Sequence, residues 1–122
     1  MSCIFCELEK SKIILENDKS ISIFDVYPVS KGHMLIIPKN HIETYFGASE
    51  EVKSSLWELV ENCKKYLDRK FKPDGYNIGI NCGEAAGQTV MHLHIHLIPR
   101  YKGDIENPRG GVRGVIPEKR IY

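Results

Sequence analysis

Apolar and polar residues alternate with a period of two along Ser20-Ile21-Ser22-Ile23-Phe24, after a short apolar run at 13–15 that Asn17-Asp18-Lys19 interrupts with turn chemistry. This pattern predicts a β-hairpin. Pro28, Ser30 and Gly32 mark a loop, and Met34-Leu35-Ile36-Ile37 reads as a fully apolar strand stopped by Pro38. Ser49 is suited to cap a helix whose first turn carries Glu50 and Glu51, where carboxylates favour the positive end of the helix dipole. Val52, Leu56, Leu59, Val60, Cys63 and Leu67 recur at spacings of three and four as one apolar stripe, and Pro73 with Gly75 ends the element. A strand over 76–80, a small-residue loop over 82–87 and a strand over 90–98 ended by Pro99 complete the pattern. Strands surrounding one long helix predict an α+β domain, an antiparallel sheet with that helix packed on it.

At 122 residues and 14.0 kDa the chain has room for one core, so residues 1–122 are expected to form a single domain. Residues 100–122 turn polar and basic, with Gly103, Pro108, Gly110, Gly111 and Gly114, and read as an extended C-terminal tail. Composition of 42% hydrophobic and 27% charged residues excludes disorder as the default state. Seventeen basic against sixteen acidic residues leave a net charge of +1, which supplies no general field for nucleic acid. No apolar run approaches the roughly 18 residues of a membrane span, and residues 1–10 lack a basic segment followed by a long apolar one. A cytoplasmic protein with neither nucleic-acid nor membrane partners is the expectation.

Chemistry concentrates in two places. Cys3 and Cys6 form a C-x-x-C pair that is open to redox, metal-binding or buried roles, while Cys63 falls on the helix stripe and Cys82 stands alone. In the run from Gln88 to Ile98, His92, His94 and His96 alternate with Leu93, Ile95 and Leu97, so a strand would turn three imidazoles to one surface about 6.6 Å apart. Imidazole titrates near neutrality and serves as nucleophile, acid or metal ligand, so a nucleophilic histidine and a catalytic zinc on an H-x-H pair both fit the spacing. Asp25 at the start of the 25–32 loop, His33 after Gly32 and Asn81 before the Gly-rich turn each suit a local structural role as well as a functional one.

The run Gly87-Gln88-Thr89-Val90-Met91-His92-Leu93-His94-Ile95-His96-Leu97-Ile98-Pro99-Arg100 resembles the H-φ-H-φ-H-φ-φ signature of the histidine triad family of nucleotide hydrolases and transferases, φ being apolar. Phe24-Asp25-Val26, the stretch Gly32-His33 through Asn40-His41, and Asn81 follow in that family's order and spacing. The resemblance implies a five-stranded antiparallel sheet with one long and one short helix, extended across a homodimer. It implies that His94 attacks the α-phosphorus of a purine nucleotide to form a nucleotidyl-histidine later released by water, with no metal needed for that step. His96 would hydrogen-bond the phosphate oxygens, and Gln88 and Thr89 would hold the scissile group. Asp25 would take both ribose hydroxyls, and Ile4, Phe5, Ile23 and Val26 would form the slot for the base, with His33 and Asn81 in support. Similarity to triad proteins and uridylyltransferases that carry C-x-x-C implies a structural zinc held by Cys3, Cys6, His41 and His92.

The tail lacks the tryptophan usual in the phosphoramidase branch of the family, and Gln88-Thr89 with Pro99-Arg100 resembles the dinucleoside polyphosphate hydrolases. On that resemblance Arg109 or Arg113 meets the extra phosphates, and diadenosine polyphosphates (Ap4A-like) are expected ahead of nucleoside phosphoramidates. A non-catalytic nucleotide-binding or scaffold role is the remaining expectation.

Overall fold

Asn17 builds the first turn by accepting from the backbone N–H groups of Lys19 and Ser20 at 3.3 and 2.9 Å, the Asx geometry its side chain favours. The computed structural model describes residues 3–122. Its strands are β1 (Leu15–Glu16), β2 (Ser20–Phe24), β3 (Met34–Pro38), β4 (Gly75–Ile80) and β5 (Ile95–Arg100), and α1 spans Glu50–Phe71. They form one five-stranded antiparallel sheet in the order β1-β2-β3-β5-β4. This is the α+β architecture that the sequence predicts.

Helix α1 follows its sequence signals closely. Ser49 caps it by accepting from Val52 N–H at 3.2 Å, and all six residues of the apolar stripe are buried. The helix ends where Lys72 turns left-handed at φ 53°, immediately before Pro73, which cannot continue it. The stripe packs on Met34, Ile36, Ile95 and Leu97 to form the main core. On the opposite face of the sheet Ile21, Ile23, Leu35 and Ile37 form a second cluster, covered by Phe5 from the N-terminal segment. The alternation in β2 therefore separates two buried faces. Ser20 and Ser22 are fully buried, with Ser20 Oγ 2.8 Å from Ser55 Oγ and Ser22 Oγ bonded to the backbone of Leu15.

Three details depart from the sequence reading. The final strand was expected over 90–98, yet β5 is Ile95–Arg100, and Leu93 N–H instead bonds the Ile42 carbonyl at 2.7 Å. Pro99 does not stop it. Its carbonyl faces away from β4 and accepts from Ser30 Oγ at 2.6 Å beyond the end of β3, so the ladder to β4 needs no N–H from this residue. The short second helix is not found among the described residues, where the other helical segments are 3₁₀ turns of three to five residues, such as Tyr45–Gly47. Residues 101–122 carry neither strand nor α-helix, and two 3₁₀ turns there are braced by Arg120, whose guanidinium bonds the carbonyls of Asn107 and Arg109.

Gly32 has φ +91°, and a Cβ there would lie 2.9 Å from the Phe71 ring, so the turn that delivers His33 to the sheet requires glycine. No described helix is long and apolar enough to cross a membrane.

Candidate active site

A cavity of about 470 Å³ opens on the sheet face opposite α1, a size suited to a small organic ligand. Phe5, Ile23, Ile4 and Val26 line it, the first two buried and the last two exposed at its rim. Asp25, Asn81, Thr89, His94 and His96 supply polar groups. Nearly the whole set of residues expected to contact substrate is thus gathered in one place. Lys12, Leu8, Leu35, Tyr27 and Val90 also line it and were missed. Leu35 alternates with Ile37 and was recoverable from strand phase, whereas Lys12 in its polar surroundings carries no sequence signal.

The three triad histidines occupy different environments. His92 is fully buried, His94 is 9% exposed and His96 is half-buried. Backbone groups fix their tautomers. His94 Nδ1 lies 2.8 Å from the His92 carbonyl, which can only accept, so Nδ1 carries the proton and Nε2 keeps a free lone pair. His92 Nε2 lies 2.9 Å from the Pro38 carbonyl, so its Nδ1 is the unprotonated nitrogen. For His33, the Val29 N–H donates to Nδ1 at 3.1 Å, which places the proton on Nε2. That N–H faces His96 Nδ1 at 3.0 Å and Asp25 Oδ2 at 3.5 Å. His96 must accept on Nδ1, and its own proton resides on Nε2. The nucleophile candidate and a hydrogen-bond donor consequently stand side by side, with ring centroids 5.1 Å apart.

Asp25, His33 and His96 bring three potential ligand atoms within 4.8 Å of one another. Because Val29 holds His33 Nε2 in its protonated state, the group forms a hydrogen-bonded chain in place of a cation cage. The other Asp25 oxygen accepts from Tyr27 N–H at 2.9 Å, so this carboxylate caps its loop while also lining the cavity.

Gln88 departs from expectation. Its side chain is buried outside the cavity lining, accepts from Gly83 N–H at 2.8 Å and donates to the carbonyls of Glu43 and Val90 at 2.7 and 3.1 Å. These three bonds shape the loop that carries Thr89. Arg109 and Arg113 also lie outside the lining, stacked over the Tyr122 ring at 5.0 and 4.6 Å, and Arg113 donates to the carbonyls of Lys119 and Arg120. The expected contact between these arginines and extra phosphates is not formed within the chain, because stacking and carbonyl bonds hold them in the tail. Arg100 is likewise occupied by Asp104 and Asn77.

Cys3, Cys6, His41 and His92 meet behind the cavity, their donor atoms all within 4.8 Å of one another. Cys3 Sγ is 3.4 Å from His92 Nδ1, and Cys6 Sγ is 3.3 Å from His41 Nδ1 and 3.5 Å from His92 Nδ1. Tetrahedral zinc with these donors needs separations of about 3.4–3.8 Å. The residues therefore fit a metal ion, and the free lone pair on His92 Nδ1, enforced by the Pro38 carbonyl, suits it as a ligand.

Burial lowers the pKa of His92 and His33, in the latter case against the raising effect of Asp25. His96 is pushed down to about 4, first by burial and then by His94 and His33. Its folded value lies below the unfolded one near 6.5, so its contribution to stability is intact above about pH 6.5 and is lost as the pH falls toward 4. NMR titration of the ring protons is expected to keep His96 neutral down to about pH 4; a midpoint near 6.5 contradicts this environment.

A HIT domain family model matches residues 7–103. An adenosine 5′-monophosphoramidase of Schizosaccharomyces pombe is 38% identical over 104 residues, covering 82% of this chain and 75% of its own length. A bis(5′-adenosyl)-triphosphatase of Dictyostelium discoideum is 34% identical over 100 residues, covering 82% and 67%. Among solved structures, a HIT family protein from Bacillus subtilis superposes with a TM-score of 0.79 at 34% identity, covering 98% of this chain and 89% of that one. A Zn-bound histidine triad family protein from Mycobacterium smegmatis gives 0.77 at 33% identity, covering 84% and 78%. With its triad, its sheet and these relatives in agreement, the chain belongs to the histidine triad (HIT) family.

Proposed function

We propose that the protein is a nucleotide hydrolase that cleaves at the α-phosphate through a nucleotidyl intermediate on His94. The observation that carries this reading is the bond from His94 Nδ1 to the His92 carbonyl, which leaves Nε2 bare beside the cavity. The base occupies the slot between Ile4, Phe5, Ile23 and Val26, and Asp25 takes the ribose hydroxyls. His94 Nε2 attacks phosphorus, the P–X bond breaks, and the leaving group departs with the bonding pair and takes a proton from solvent. His96 Nε2–H, with Thr89 and Asn81 nearby, donates to the phosphoryl oxygens as their charge grows. Water then adds to phosphorus, gives up a proton to solvent and expels the imidazole with the P–N bonding pair, returning free His94 and the nucleoside monophosphate. Gln88 acts in this scheme as a positioning residue for the Thr89 loop.

Incubation with a slowly turned-over adenosine nucleotide followed by intact-mass measurement is expected to show a covalent adenylyl adduct that His94→Ala lacks, with turnover reduced by at least about 10³-fold. Nucleotide binding without adduct or turnover in the wild type would make this a binding protein.

The relatives' names favour two leaving groups, and the supply of cations separates them. Lys12 is the one cation among the described cavity-lining residues, while Arg100, Arg109 and Arg113 are engaged elsewhere. A small leaving group needs little neutralisation, so a nucleoside phosphoramidate is the better substrate and a diadenosine polyphosphate the second reading. The value of kcat/KM is expected to be higher on adenosine phosphoramidate than on diadenosine tetraphosphate; the reverse order returns the polyphosphates to first place.

Zinc at Cys3, Cys6, His41 and His92 would supply a structural cross-link between the N-terminal segment and the triad. The sheet continues into a second copy through β4, an edge strand with half-exposed residues and an exposed Ile78. Sedimentation is expected to give a dimer at micromolar concentration, and a species of 14.0 kDa would refute that assembly.

A further inference from the structure

The two residues inside the C-x-x-C pair are themselves cavity wall. Ile4 and Phe5 stand between Cys3 and Cys6 and line the nucleoside slot. Phe5 also packs edge-on against His92 and His94, with ring centroids at 5.8 and 5.2 Å. The wall has few other fastenings. Residues 3–8 belong to no strand, and the bonds Cys3 N–H to Glu7 and Glu7 N–H to Cys3 close the turn only on itself. Among the described residues, the hydrogen-bond-range links from this segment to the rest of the fold are the three thiol–imidazole contacts to His41 and His92. What else holds it is the packing of Phe5 and Leu8 on the apolar face of β2 and β3.

We infer that the metal centre and the nucleoside slot are reciprocally linked: metal at Cys3, Cys6, His41 and His92 clamps Ile4 and Phe5 as one wall of the slot, and a bound nucleoside in turn retains the metal. The inference rests on the nucleotide reading above and assigns a positioning role to the Cys3–Cys6 turn. The physical basis is ordering. A metal that fixes both cysteines fixes the two residues between them, so the base meets a wall already in place and loses less freedom on binding. Reciprocity follows from linkage, because any factor by which metal tightens the nucleoside is the factor by which the nucleoside tightens the metal. The effect belongs to the base, since Ile4 and Phe5 offer apolar surface and no group for phosphate or ribose.

The test is an equilibrium competition for zinc between the full chain and a chromogenic chelator, run alone, with saturating AMP and with saturating ribose 5-phosphate. AMP is expected to tighten the equilibrium affinity for zinc by about fivefold or more, and ribose 5-phosphate to leave it unchanged. Calorimetry on the same sample separates the failures. Equal zinc affinities while AMP is shown to bind would overturn the linkage and leave the nucleotide reading standing. Absence of AMP binding would overturn both. Equal tightening by ribose 5-phosphate, or a purified chain that takes up no zinc, would overturn the assignment of the clamp to the base slot.

Discussion

The carbonyl of His92 decides what His94 can be. Without that acceptor the imidazole would exchange tautomers, and the nitrogen facing the cavity would spend part of its time protonated and unreactive. Both ring nitrogens of His92 are themselves engaged: its Nε2–H meets the Pro38 carbonyl and its Nδ1 faces two thiols. A neutral hydrogen bond of this kind contributes only about 1 kcal/mol to stability. Its larger effect is to fix which of two nitrogens is nucleophilic, and backbone is a better device for that than a side chain because it cannot rotate away.

The same logic extends through the site. Val29 N–H orients His33, which orients His96, so a peptide group outside the cavity determines that His96 presents a donor. Gln88 does comparable work on the loop, tying Gly83, Glu43 and Val90 together so that Thr89 reaches the cavity. Preorganisation of this type lowers the cost of aligning dipoles when charge develops on a substrate. It also explains why so many residues near the triad are polar and buried yet satisfied.

Most of the architecture was legible from pattern alone. The stripe from Val52 to Leu67 gave the helix and its buried face, and the apolar run at 34–37 gave the central strand. What escaped depended on partners that a pattern of apolar and polar residues does not name. Strand β5 begins later than its alternation suggests because the backbone at Leu93 is engaged by Ile42. Pro99 fits inside a strand because β3 has already ended beside it. The family resemblance puts Gln88 at the scissile group, while the three backbone groups that bind it in the structure carry no signal in the pattern. Arg109 and Arg113 carried charge that suggested phosphate, but their engagement with Tyr122 and the carbonyls at 119 and 120 is a product of how the tail folds.

The sheet has a full helix on one side and only a short peptide turn on the other. A three-layer domain would cover the second face of the sheet with another element, and here only the N-terminal segment does so, leaving the cavity open. The lining contributed by residues 4, 5 and 8 belongs to no strand and lies outside the core formed with α1, and within it Phe5 and Leu8 also cover the second cluster while Ile4 is exposed at the rim. A fold arranged in this way draws one wall of its cavity from a loop that no strand pairing fixes, while the histidines opposite are held by backbone carbonyls that strand and loop geometry set.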